Sequence, residues 1–219
     1  MRPDPGRRRT RPPAGFPGPR GRATPAPMPR SPLPGPFRFM ALDVETADRR
    51  RGSICQVGVA GVRRDGSVAT WSTYLDPGPS DWGCAFVHGI TAATVRGAPR
   101  FAQVLPVLDA LIGSRLVFQH STFDRSAIGT ACGDAGLEAP DWDWRDSGRV
   151  ARRAWPELKG NGGHGLASLK RHLGLDFRHH DGEEDARAAA LVVLRAEAAT
   201  GLDFAAPAFP PPAALQAAE

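Results

Sequence analysis

The 219-residue chain is 41% hydrophobic and 23% charged, which is ordinary for a globular protein with one sizeable core and excludes a membrane-embedded or fibrous one. Its net charge is +5, but residues 1–36 hold eight arginines against Asp4, or +7, so residues 37–219 sum to −2. A mildly acidic body gives no argument for nucleic acid from its charge; only the N-terminal segment carries that signal.

In chain order, residues 1–36 contain twelve prolines and five glycines and are expected to be a disordered tail of polyproline-II character. Its composition fits a linker better than an electrostatic arm. Residues 37–203 are expected to form one domain, followed by a loose Pro/Ala-rich tail over residues 204–219. Alternation predicts strands over Phe37–Val44, Ile54–Val62 and Val68–Leu75, the last two joined by a turn at Arg64-Asp65-Gly66, as an antiparallel meander. Helical spacing of Val104, Leu105, Leu108 and Leu111 predicts a helix over Phe101–Ile112. A short strand, Arg115–Gln119, a helix, Thr122–Gly136, and one further strand are expected before a short helix at Leu166–Leu173 and a closing one at Glu183–Thr200. The fold class is α/β: a mixed sheet, antiparallel meander plus parallel strands, flanked by helices. Cys55, Cys84 and Cys132 are widely spaced, which argues against a disulfide framework or zinc knuckle and for a reducing cytoplasm. No apolar run reaches the ~18 residues that span a membrane, and no apolar segment follows the N-terminal charges, so neither a membrane nor a secretory signal is expected.

Asp43 and Glu45 end the first strand and share a predicted face with Phe37, Phe39 and Ala41. A lone D-x-E is a weak signal, and Asp181-Gly182-Glu183 repeats it at a polar helix start. The pair reads either as turn acids or as ligand groups at the carboxyl end of a central strand. Asp124 follows the fourth strand, where Ser121-x-x-Asp124 also matches a capping box. Asp181-x-x-Glu184 predicts a second box, but Asp185 lies on the apolar stripe of Ala188, Ala189, Val192 and Ala196, with no Lys or Arg on that stripe. A buried carboxylate is rarely left unpaired, and a metal cation is its simplest partner. Four acids without cysteine select Mg²⁺ or Mn²⁺ over zinc and suit two ions bracketing an in-line phosphoryl displacement. His180, ahead of the last helix, has a suitable intrinsic pKa for a general base. The residues therefore read as a site for metal-assisted phosphodiester hydrolysis.

These segments resemble the three motifs of the DEDD superfamily of 3′–5′ exonucleases, in the branch typified by the proofreading (epsilon) subunit of bacterial DNA polymerase III. The first is Asp43-Val44-Glu45-Thr46, the second His120-Ser121-Thr122-Phe123-Asp124, the third His180 to Asp185. VHGIT (residues 87–91), Asp146-Ser147 with RVARRAWPEL, and Gly165–Leu169 with Leu173-Gly174 extend the resemblance over residues 37–200. The superfamily's Tyr type places tyrosine where Asp181 stands, and the sole tyrosine is Tyr74, so the His (DEDDh) branch is indicated. Gly182 and Glu183 depart from the family's Ala and apolar residue, and Gly182 is expected to loosen the loop.

The resemblance implies a ribonuclease H-like fold and two Mg²⁺ or Mn²⁺ held by Asp43, Glu45, Asp124 and Asp185. It also implies that His180 is the base releasing nucleoside 5′-monophosphates from a free 3′ end, single-stranded DNA first. Thr46 through its backbone, Val87, His88 and Phe123 are implied to line one pocket for the terminal nucleotide. His120 is expected to be structural more than substrate-binding, and His164, His172 and His179 structural or exposed. A polymerase or repair partner is compatible with this reading. Exoribonuclease or oligoribonuclease-type activity and a non-catalytic nucleic-acid-binding scaffold remain as alternatives; a ribonuclease H-type endonuclease is disfavoured because the motif set suits a free 3′ end.

Overall fold

A computed structural model describes residues 33–206, so most of the expected N-terminal tail and the last thirteen residues lie outside the described residues. The elements are β1 (Phe39–Thr46), β2 (Ile54–Val62), β3 (Val68–Tyr74), α1 (Ala85–His88), α2 (Phe101–Ile112), β4 (Leu116–Gln119), α3 (Phe123–Asp134), β5 (Asp143–Asp146), α4 (Ser147–Ala154), α5 (Leu166–Leu173) and α6 (Gly182–Thr200). They build one sheet of order β3-β2-β1-β4-β5. The β3-β2-β1 half is antiparallel, and β1-β4-β5 is parallel. No helix of the described residues is long and apolar enough to cross a membrane.

The sheet is the middle of three layers. Phe39 and Ala41 of β1 pack with α4, α5 and α6, while Met40, Leu42 and Val44 pack with α2 and α3. Both faces being covered, β2 is buried at all nine positions, which is why ICQVGVAGV reads as a continuous apolar run. Phe37 precedes β1 and packs with the α2/α3 cluster, its ring under the Arg63 guanidinium at 5.2 Å, so it does not share the face of Phe39. The period-two pattern stops applying where the strand begins. α1 and α4 were not expected: α1 buries no residue, and α4 is only eight residues long, carries three arginines and has a short apolar face of Val150, Ala151 and Ala154. At the other end the packing continues beyond residue 203, since Phe204 is fully buried and donates its N–H to Glu197 Oε1.

Two features of the framework shape the site. β1 and β4 pair only at Met40–Val117 and Ala41–Phe118, so their carboxyl ends separate and leave Val44 N–H outside the ladder. The start of α6 lies hard against the sheet: a Cβ on Gly58 would stand 2.0 Å from the Gly182 carbonyl oxygen. Gly182 N–H donates to Gln56 Oε1 (3.1 Å), and the Glu183 carboxylate accepts from the Thr70 (2.6 Å) and Ser72 (2.5 Å) hydroxyls of β3. Glu183, beside the glycine expected to loosen this loop, is thus a polar anchor to β3.

Candidate active site

Asp43 and Glu45 emerge from β1 on the face covered by α6, and one oxygen of each lies within 4.8 Å of an Asp185 oxygen and of each other. Asp124 enters from the first turn of α3, is 3% exposed, and accepts the unladdered Val44 N–H at 3.1 Å. This corrects the capping-box expectation. The N-cap is Thr122, without a side-chain bond, and Ser121 Oγ accepts from Phe123 N–H instead, so Asp124 is committed to β1. Asp185, also 3% exposed, accepts from the His180 backbone N–H at 2.8 Å, and both its oxygens lie 2.9 Å from His179 Nδ1. Asp181 caps α6, accepting from Glu183 and Glu184 N–H, while no return bond from the Glu184 side chain completes the expected box among the described residues.

Asp185 thus has a partner that periodicity did not reveal. His179, expected to be structural or exposed, reaches Asp185 because His180 takes the left-handed conformation (φ 65°) and folds the loop back. The two imidazoles stack at 4.0 Å and 19°. The available signal was adjacency to the motif histidine, which does not say where a loop residue points.

Burial pushes Glu45 up to about 7, with Asp185 and Asp124 adding repulsion. Burial also takes Asp124 up to about 7 against the lowering effect of the Val44 N–H. Asp43 is held well above the usual carboxylate range by burial, then by Asp124 and Asp185. Burial, then His179, push His180 below its ordinary value and favour the neutral ring. All four acids, His179, His180 and Phe123 line one cavity of about 290 Å³. Three carboxylate oxygens within 4.8 Å, in surroundings that disfavour bare negative charge, fit a hard divalent cation. A second group, His179, His180 and Asp185, meets the same distance and shares Asp185.

Phe123, Val87 and His88, expected to hold the terminal nucleotide, line two adjoining cavities. Phe123 lines the acid cavity, whereas Val87 and His88 line a neighbouring one of about 420 Å³ with Gln56 and Tyr74, and His179 and His180 line both. Thr46 is buried, and its carbonyl oxygen accepts from His88 Nε2 (3.0 Å) while His88 Nδ1 accepts from Ile90 N–H (3.0 Å). Those two bonds require the neutral Nε2–H tautomer. His120 also lines the acid cavity and bridges Ser147 Oγ (2.9 Å) and the His164 carbonyl (2.8 Å), and His164 Nε2 meets the Trp155 carbonyl (2.8 Å). His172 packs edge-on against Trp155.

A mixed five-stranded sheet flanked by helices, with acids gathered at the carboxyl ends of β1 and β4, is the ribonuclease H-like exonuclease fold. The chain belongs to the RNase_T exonuclease family, whose model matches residues 40–193. It is similar in structure to exonuclease X in complex with 5′ overhanging duplex DNA (22% identity, 75% of this chain and 94% of that chain, TM-score 0.61). The nuclease domain of 3′hExo, a DEDDh family member, bound to rAMP, is similar at 20% identity over 73% of this chain and 91% of that one (TM-score 0.61). So is the zinc-ion-bound E. coli ExoI–ssDNA complex, at 16% identity over 74% of this chain and 41% of that one (TM-score 0.61). No curated protein matches the chain by sequence.

Proposed function

We propose that this chain is a His-type 3′–5′ exonuclease that shortens single-stranded DNA and releases nucleoside 5′-monophosphates. The observation that carries the reading is the convergence of Asp43, Glu45, Asp124 and Asp185 with His180 on one cavity, with three of the acids pushed upward by burial and mutual repulsion. Two Mg²⁺ or Mn²⁺ held by these four acids would neutralise charge at the scissile phosphate and acidify the attacking water. His180, favoured neutral, takes the proton of that water, and its backbone is oriented by the Asp185 carboxylate. His88 holds the Thr46 carbonyl in place. Phe123 and Val87 offer apolar surface to the terminal sugar and base, a contact that tolerates any sequence.

Of the three solved structures described above, two were captured with DNA and one with rAMP. Oligoribonuclease-type action on short RNA is the second reading, supported by the −2 charge of residues 37–219, which supplies no long basic track. The same mild acidity is compatible with a polymerase or repair partner that delivers the 3′ end. The three cysteines are free, which is compatible with a reducing cytoplasm.

The test is a panel of 3′-ended single-stranded DNA, RNA and mismatched duplex with Mg²⁺ or Mn²⁺, run beside Asp43→Ala and His180→Ala. Mononucleotide release from DNA is expected, with His180→Ala slower by about 10²–10⁴-fold. A 3′-blocked strand should stay intact; its cleavage would indicate an endonuclease. Binding without cleavage of any substrate would indicate a scaffold.

A further inference from the structure

We propose that Arg51, stacked on Phe123, is a strand-binding residue at the rim of the acid cavity, its guanidinium donating to a phosphate of the nucleic acid being degraded. This rests on the exonuclease reading above. A polyanion must approach four carboxylates on a body whose net charge is −2, so a cation fixed at the mouth has an evident electrostatic purpose.

Arg49, Arg50 and Arg51 follow β1 directly and are all exposed, but they are not equivalent. Arg50 is committed to the loop: its Nη2 meets Asp48 Oδ2 at 2.7 Å and the Pro79 carbonyl at 2.8 Å. Asp48, 5% exposed, also accepts from Arg50 N–H and Ser80 Oγ, both at 2.8 Å. Ser53 Oγ closes the turn on the Arg50 carbonyl at 2.7 Å. Gly52 lies against α3, where a Cβ would stand 2.2 Å from Asp134 Oδ2. The loop is therefore held at several points and presents Arg51 from a fixed base.

The Arg51 guanidinium carbon lies 5.0 Å from the centroid of the Phe123 ring, and Phe123 both lines the acid cavity and precedes Asp124. No ion pair to Arg51 occurs among the described residues. A guanidinium held over a ring by cation–π attraction keeps N–H donors that can turn to a phosphate. The recognised group is the phosphodiester, common to DNA and RNA, so Arg51 would contribute affinity without choosing between them.

The experiment is fluorescence anisotropy of a 5′-labelled oligothymidylate, with Ca²⁺ in place of Mg²⁺ to hold back cleavage, titrated between about 50 and 200 mM salt. Arg51→Ala and Arg51→Gln should each bind about fivefold to tenfold more weakly at the low-salt end and lower the magnitude of the log–log salt slope by about 0.7, the value for one single-strand phosphate. Arg51→Lys should keep the slope and lose part of the affinity, because it keeps the charge but not the stacked fork. Melting curves of the variants should overlay the wild type, the side chain being exposed. If wild-type protein binds and shortens the strand while both Arg51→Ala and Arg51→Gln match its affinity and slope, the Arg51 contact is wrong and the exonuclease reading stands. Wild-type protein that neither binds nor cuts overturns both.

Discussion

His180 carries a side chain in a backbone region that costs free energy for anything but glycine, and such strain persists only where surrounding bonds impose it. Here the imposing bond is the His180 N–H to Asp185, with His179 Nδ1 against the same carboxylate. Under the proposed function the two adjacent histidines would therefore have separable tasks, His180 as the base for the attacking water and His179 as the group that orients Asp185. On that reading, replacing His180 would remove the base, whereas replacing His179 would leave Asp185 its bond from the His180 backbone. Steady-state kinetics should show His179→Ala losing less than about tenfold in kcat, well short of the 10²–10⁴-fold expected for His180→Ala. Equal losses would mean that the base assignment is wrong or shared.

At the scale of elements, the site depends on where α6 begins. Its first turn carries Asp185 and is preceded by His180, and it is seated by Gln56, Thr70, Ser72 and the missing side chain of Gly58. Gly58 lies inside a strand where glycine is otherwise unfavourable, and the close approach of the α6 backbone accounts for it. Gly58→Ala would place a methyl group 2.0 Å from a backbone oxygen, which no side-chain rotation relieves. A loss of about 1–3 kcal/mol is expected, with a melting temperature lower by several degrees and activity reduced as α6 shifts. A fully stable and active Gly58→Ala protein would show that the start of α6 is free to move.

For the molecule as a whole, the acid cluster couples folding to pH and to cations. Glu45 and Asp124 titrate at about 7 in the folded chain and Asp43 well above its usual range, against about 4 in an unfolded chain. Between those values the folded state holds more protons than the unfolded one, so stability falls as pH rises through this window. His120 and His180, both lowered chiefly by burial, act in the opposite direction near their own titrations, two groups against three. Metal-free protein should therefore melt higher at about pH 5 than at about pH 7.5, and Mn²⁺ should raise the higher-pH value more, because cations and protons compete for the same oxygens. Scanning fluorimetry in chelator and in Mn²⁺ measures both; a metal-free melting temperature that climbs steadily to pH 7.5 and ignores Mn²⁺ would contradict this account of the cluster.

The sequence alone determined the elements whose faces are decided by local periodicity. β2 and α2 were read to the residue, β1 to within two residues, and the carboxylates were legible because each interrupts or ends an apolar run. The mixed sheet followed from the order of those elements. What periodicity could not carry was any partner brought from far along the chain. Val44 N–H meets Asp124 eighty residues away, Thr70 and Ser72 meet Glu183, and Arg51 meets the ring of Phe123. Those pairings are set by where β1 and β4 separate and by how closely α6 can approach Gly58. They are properties of packed backbone, and so the tertiary structure decided why Asp124 abandons its cap and why His179 faces Asp185.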